Sequence, residues 1–543
     1  MKKITSTLIA PTFLLLSLNT QANPIPATED GLLGLYSADN FTITDGQCQD
    51  CATIPQALWY FKKELIAVPK KVMPIAVVSK ADFTLQEVVK NQDEKALPPL
   101  VWLSSQYVIP QARLNDNGTM VIETSSLTSP FFITNKIPSN LSYWNDSTLQ
   151  FFKQRDVRLR GELTDKGFTA RTVWPLDFKI DANANLNALN TNESLKSLVQ
   201  YENGGAKSVY ESRLLWEKAP GVAKEVAGKA VLAFMLNGAQ GDDDEAHGGH
   251  FAVVTGRMEA DGNYSRWLVN NYYNLAANSE KGIIAGITPM DKYLADLNSG
   301  QSFYRPSYML VAVLKSDTVP SQFQATTNRI YNHFYRNDFV YDHSRNNCAG
   351  TSIDTLRALG WNIPTRGVES QLKATAAYIY VAATEMSLSK GRAIYDYLNT
   401  ETTRLFPAVT FDAIGENLLL GANQWSSKLY TDHNPTTPFM RQISEDIEAI
   451  YFVRIPQIPS SRAFGLAPVY SFDQYMHQAP ADRSQWKIIP TTPNPLPEAL
   501  KDGAALKLAS PSLLPLPVAA VLMFIVGGLT WLIRKLLKRN ARN

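Results

Sequence analysis

Apolar and polar positions alternate with a short period over much of the first third of the chain. The stretches PLVWLSSQYVIP, TMVIETSS, VRLRGELTD and FTARTVWPLDFKI are rich in β-branched and aromatic residues, and NDNG and TDKG supply turns between them. The pattern predicts a β-rich domain over 23–180, interrupted by a helix at ATIPQALWYFKKELIA (52–67). DANANLNALNTNES, dominated by Asn and Ala, marks a linker over 181–199. KSVYESRLLWEKA (207–219) reads as a helix, and KAVLAFMLNGAQGDDDEAHGGHFAVVTGRM as two strands joined by the acidic, Gly-rich loop GDDDEAHGG. Further strands are predicted at SRWLVNNYY and SYMLVAVLK, and then a helix at QFQATTNRIYNHFYR.

Beyond Gly367 the pattern becomes mainly helical up to about Tyr430. It includes QLKATAAYIYVAATEMS, which is apolar on nearly all sides, too short to span a bilayer, and expected to pack against the domain. A last β-like segment, AIYFVRIPQIPSSRAFG, closes an extension over 368–488, and the prolines of IIPTTPNPLPEAL suit a stiff spacer over 489–512.

The two ends carry longer apolar runs. MKK, then LIAPTFLLLSLNT, then the small residues of TQA follow the plan of a secretory signal cleaved after Ala22. LLPLPVAAVLMFIVGGLTWLI (513–533) has no charge and is long enough to cross a hydrocarbon core. The tail 534–543 follows with Arg534, Lys535, Lys538, Arg539 and Arg542, a positive-inside stop. Together they predict a single-pass protein whose bulk is extracytoplasmic, in a Gram-negative cell an inner-membrane anchor with a periplasmic body.

Charge adds a limited constraint. Of 52 Lys and Arg, seven lie in the signal and the tail, which leaves 45 against 50 acids and makes the exported body about −5. No basic stripe or basic-aromatic patch points to nucleic acid. With 45% hydrophobic residues the body can bury substantial cores, and its length suggests two or three domains.

The chemistry concentrates on three cysteines. Cys48 and Cys51 form CQDC, in an oxidising compartment a short-range disulfide, with a redox-active pair as the alternative. Cys348 is left over. It follows Asn346 and Asn347 and precedes Gly350, and Ile353, Leu356 and Leu359 recur at near-helical spacing until Gly360. A cysteine at a helix start faces unsatisfied amides and the helix dipole, which favour the thiolate. A catalytic thiol also needs a base and a group to orient that base. Of six histidines, His250 opens the strand FAVVTG directly after Gly249, and Asn270 or Asn271 on a neighbouring strand could fix its tautomer. His247 shares the loop and could exchange roles with it, and His343 could line the site. Asp242, Asp243, Asp244 and Glu245 beside His247 and His250 are ligand types for a metal, but without helical HExxH spacing an acidic hairpin loop is usually just solvated. No metal and no cofactor are implied.

Gly249-His250 opening an apolar strand, with Tyr341 and Asp342 ahead of Asn347-Cys348 at a helix start, resembles the circularly permuted papain-like (NlpC-type) superfamily. In ordinary NlpC-type members the cysteine helix comes first; here the histidine does, an order shared with lecithin:retinol acyltransferase. The pattern is most similar to the bacterial Lnb-type periplasmic domain family. The likeness covers roughly 225–365, within a catalytic domain drawn at 200–367. It implies Cys348 as nucleophile and His250 as general base, with Asn347 or Tyr341 as an oxyanion or positioning group. Asn271 and Asn270 remain alternatives for the orienting residue.

The expected fold class is α+β. It comprises an antiparallel sheet plus a cysteine-bearing helix, a β-rich N-terminal domain, a C-terminal helical extension and one transmembrane helix. The expected activity is a thiol hydrolase or acyltransferase acting on amide or ester bonds of cell-envelope lipids or lipoproteins. Peptidoglycan peptides are the alternative substrate, and a scaffold whose papain-like domain only binds is the alternative class. Nothing in the chain points to an oligomeric state.

Overall fold

The computed structural model describes residues 29, 31–45, 61, 64–70, 100–135, 144–239, 248–274, 283–335, 341–342, 346–427, 437–460, 464–478, 482 and 513–540. The expected signal, Cys48 with Cys51, the acidic loop with His247, His343 and the Pro-rich spacer lie outside these residues.

After a small hairpin of β1 (Leu32–Leu33) and β2 (Tyr36–Ser37) come β3 (Phe41–Thr44), β4 (Leu65–Pro69) and β5 (Val101–Ser104). Residues 65–67, the end of the helix expected at 52–67, are therefore strand. A closed barrel follows, built from β6 (Tyr107–Leu114), β7 (Thr119–Ile122), β8 (Leu127–Ile133), β9 (Val157–Thr164) and β10 (Gly167–Pro175). Helix α1 (Asp146–Lys153) plugs it with Phe152, which stacks on Trp144.

The 181–199 segment is ordered rather than a loose linker. Its polar residues close local turns, the Asn183 N–H donating to Asp181 Oδ1 and the Asn192 N–H to Asn190 Oδ1. Arg213 then holds the carbonyls of Asn187 and Ala188 and the carboxylate of Glu193. The segment ends in α2 (Leu195–Gln200), capped by Ser194.

The remaining strands are β11 (Glu211–Glu217), β12 (Ala230–Asn237), β13 (His250–Arg257), β14 (Leu268–Asn274), β15 (Ile283–Pro289), β16 (Ser307–Leu314) and β17 (Ile447–Ile455). They form a ten-stranded sheet in the order β11-β17-β16-β12-β13-β14-β15-β5-β4-β3. Every described pairing in it is antiparallel except β15 with β5. The sheet crosses the boundaries drawn at 180 and 367, since β3, β4 and β5 extend one end and β17 is inserted near the other.

β11 corrects the helix expected at 207–219. Leu214, Leu215 and Trp216 are consecutive and all buried, which one face of a surface helix cannot achieve, and a bulge between Leu214 and Trp216 lets β11 pair with β17. β12 and β16 are buried at every position because the sheet is covered on both sides.

The helices are α3 (Met290–Ala295), α4 (Thr318–Tyr335), α5 (Cys348–Leu359), α6 (Gln371–Thr384), α7 (Leu388–Asn399), α8 (Thr402–Leu405), α9 (Pro407–Ser427), α10 (Pro438–Asp446), α11 (Phe472–Gln478) and α12 (Leu516–Asn540). α4, α5 and α9 pack on β12 and β13. α12 is the helix expected at 513–533: Leu516–Lys535 is long and apolar enough to cross a membrane, and almost none of it is buried.

Two buried ion clusters fasten the barrel to the sheet through α3. Arg158 and Arg160 of β9 share Glu29 and Asp291, and Arg171 of β10 pairs with Asp296 at 3.0 Å and Glu64 at 3.1 Å. Lys292 also reaches Asp296 and lies over the Trp102 ring.

On α9, burial and the nearby Glu416 push the carboxyl of Asp412 up to about 7, against the opposing pull of Arg366 and a 3.4 Å hydrogen bond from the Tyr470 hydroxyl. In the unfolded chain the same group ionises near ~4. The native state therefore holds the proton more tightly, and the stability this confers is complete below the unfolded value and lost as pH rises through about 7. Asp412→Asn is expected to leave the Tm unchanged at about pH 4 and to raise it at about pH 8. Thermal melts across pH check this; a gain that is independent of pH would refute it.

Candidate active site

Cys348 is the first residue of α5. Asn347 caps the helix, its Oδ1 accepting from the Gly350 N–H while its Nδ2 donates to the Leu405 carbonyl. Gly360 ends the helix with φ +107, a left-handed conformation that favours glycine. The side-chain amide of Asn347 is thus engaged by the cap and by Leu405.

Cys348 is a free thiol and only 5% exposed. The Phe251 and Ala349 amides and the Tyr341 hydroxyl lie near the thiol and favour its ionised form. Tyr341 also interacts electrostatically with Cys348, and its ring lies against Tyr272 with centroids 5.2 Å apart. The thiol therefore sits near the strand position adjoining His250, beside the phenol of Tyr341.

His250 opens β13 and is half-buried. Its backbone position depends on Gly249, whose φ of +81 is left-handed; a Cβ there would come within 2.8 Å of the Asn237 carbonyl oxygen and 2.7 Å of Pro468. That close approach explains why a glycine precedes the histidine. The Nε2–H of His250 donates to Asn271 Oδ1, so Nδ1 carries the lone pair.

Asn270 and Asn271 are consecutive on β14 and so project to opposite sides of the strand. Asn270 is engaged elsewhere, donating to the Val253 carbonyl and exchanging hydrogen bonds with Gln324 of α4. Of the two alternatives, Asn271 is the one that holds the imidazole.

The local field differs from the expectation of a ready-made thiolate. Burial raises the Cys348 thiol above its ordinary value, although Phe251, Tyr341, Ala349 and Arg305 all act in the opposite direction. Burial, aided by the charge of Arg305, lowers His250 to about 3 despite the bond to Asn271. At neutral pH the resting pair is thiol and neutral imidazole, because desolvation outweighs the helix-end effect.

Arg305, Phe251 and the segment 464–468 escaped sequence reasoning. Arg305 precedes β16, is braced by Gln301, and bears on both Cys348 and His250. A single arginine before a proline gives no signal of that role. Segment 464–468 crosses the end of β12, where Ala239 and Leu466 exchange backbone hydrogen bonds. Among the described residues no cluster of His, Cys, Asp and Glu could hold a metal.

Comparison of the chain with protein-family models, with curated proteins and with solved structures finds no match.

Proposed function

We propose that the protein is a membrane-anchored extracytoplasmic thiol hydrolase or acyltransferase acting on acyl groups of cell-envelope lipids or lipoproteins. The observation that carries the reading is the placement of the Cys348 sulfur at a helix start, against the Phe251 amide and one residue from a histidine oriented by Asn271. The resemblance to permuted papain-like proteins rests on the same residues, and the long apolar α12 supports the anchor and a lipidic substrate.

In this mechanism the sulfur of Cys348 attacks the carbonyl carbon of an ester or amide while Nδ1 of His250 takes the thiol proton. The oxyanion is held by the Cys348 N–H and the Tyr341 phenol O–H. Collapse expels the alcohol or amine, which takes the proton from His250 and leaves a thioester on Cys348. Water or an acceptor amine then attacks the thioester, passes its proton through His250 and restores the thiol.

The test is intact-mass analysis of the full chain in detergent, incubated with a diacylated lipopeptide or with a muropeptide. The expected result is one added acyl mass, removable by hydroxylamine and lost in Cys348→Ser. An adduct from the muropeptide alone would move the substrate to peptidoglycan. No adduct and no turnover with either substrate would sink the enzyme reading in favour of a binding protein.

A further inference from the structure

α6 has two apolar faces. The inner one, with Ala374 and Tyr378, packs with Tyr395 and Leu398 of α7 and with Val518 in the first turn of α12. The Tyr378 hydroxyl also donates to the Leu513 carbonyl at 2.9 Å, just ahead of α12. The outer face holds Leu372, Ala376, Ile379 and Tyr380, spaced as a single helical stripe, and all are exposed. The stripe is apolar, its neighbouring charges Lys373 and Glu385 being paired with Asp473 and Lys390, and it runs on into the α6–α7 turn, where Met386 adopts a left-handed φ of +48 and is 92% exposed, and then to Leu388.

The position of this face indicates what covers it. Packed helices lie about 8–10 Å apart between axes. The headgroup layer on each side of the hydrocarbon core is roughly 5–8 Å thick. A helix packed on residues 513–518, where the apolar run begins, is therefore at the depth of the headgroups and first acyl carbons. An apolar stripe with a tyrosine and a flanking lysine suits that layer, where aromatic rings with a polar tip concentrate.

We infer that the α6–α7 hairpin lies on the bilayer surface beside the membrane helix, with Leu372, Ile379, Tyr380 and Met386 in contact with lipid. This rests on the anchoring by α12 proposed above. The hairpin is an interfacial element, and it is joined to the catalytic region through α11, where Lys373 pairs with Asp473 and the Phe472 N–H donates to Glu369.

The experiment uses the full chain in vesicles of phosphatidylethanolamine and phosphatidylglycerol, doped with a phosphatidylcholine that carries a diazirine on one acyl chain. After irradiation, adducts are mapped by mass spectrometry. Adducts are expected on 371–388 as well as on 516–533. Leu372→Glu with Tyr380→Glu is expected to reduce the hairpin adducts by about tenfold or more while leaving those on α12. Adducts confined to α12 would overturn the proposal and point to cover by residues 483–512 or by a second copy of the chain. Adducts on neither helix would overturn both the proposal and the anchoring beneath it.

Discussion

His250→Ala is expected to lower kcat/KM on an acylated substrate by about a thousandfold, the scale of a lost general base, and Cys348→Ala to remove thioester formation altogether. Asn271→Ala keeps the base but frees its ring, so its loss is expected to be smaller. The pH profile separates this mechanism from a preformed ion pair. With His250 lowered to about 3, the imidazole remains unprotonated through the mildly acidic range. With the thiol raised, no thiolate accumulates at neutrality. The profile of kcat/KM is therefore expected to stay level from mild acid through neutrality and to fall only as pH approaches 3. The thiol should alkylate more slowly than free cysteine near neutral pH. A thiolate titrating several units below free cysteine, with an alkaline fall in activity as an imidazolium loses its proton, would contradict the neutral pair.

The second large effect is on stability. In the cluster of Arg158, Arg160, Glu29 and Asp291, the side chains of Arg160 and Asp291 have no exposed surface. Asp291→Asn leaves two guanidinium groups facing Glu29 alone. Breaking a buried pair on one side costs about 3–5 kcal/mol, because the remaining charge is desolvated without compensation. Urea unfolding in detergent is expected to show a loss of that order. The double replacement Arg160→Met with Asp291→Leu is expected to cost less than Asp291→Asn, since it removes the stranded charge together with its partner. A loss of less than about 1 kcal/mol for Asp291→Asn would place the cluster in the class of solvent-screened pairs.

The most legible features in the sequence were those whose signals are local. The cap at Asn347, the spacing of Ile353, Leu356 and Leu359, and the stop at Gly360 located α5, and Gly249 beside an alternating run located the start of β13. The apolar run at the C-terminus was equally plain. Where tertiary pairing decides, the local signal misled. Leu214-Leu215-Trp216 has no β-branched residue, so helix preference prevailed on paper, while pairing with β17 over two hundred residues away decides the outcome in the fold. β15 is rich in Ile and Thr, but Gly286 and Pro289 break up the run and weaken its signal. The Asn-rich 181–199 stretch gives no sign of its order, because the same residues serve loose linkers and tight Asx turns. Within the candidate site, the thiol and imidazole were visible as motifs. The contribution of the Phe251 amide depends on α5 packing against β13, and that of Arg305 on how β16 lies beside β12; no run of residues records either. α6 is apolar on nearly all sides, but only its inner face packs, while its outer stripe is exposed.

The insertion of β17 between β11 and β16 bears on how the chain reaches this fold. Adjacent strands in a sheet are about 4.8 Å apart. β11 joins the sheet through β17 alone, and without β17 one edge of β16 has no partner. The closing contacts join residues separated by more than a hundred positions, which makes assembly of the sheet a late, high-contact-order event. A chain stopped at 367 would keep the thiol and the imidazole but not the strand that seals the sheet bearing them, and its unpaired edges would be templates for aggregation.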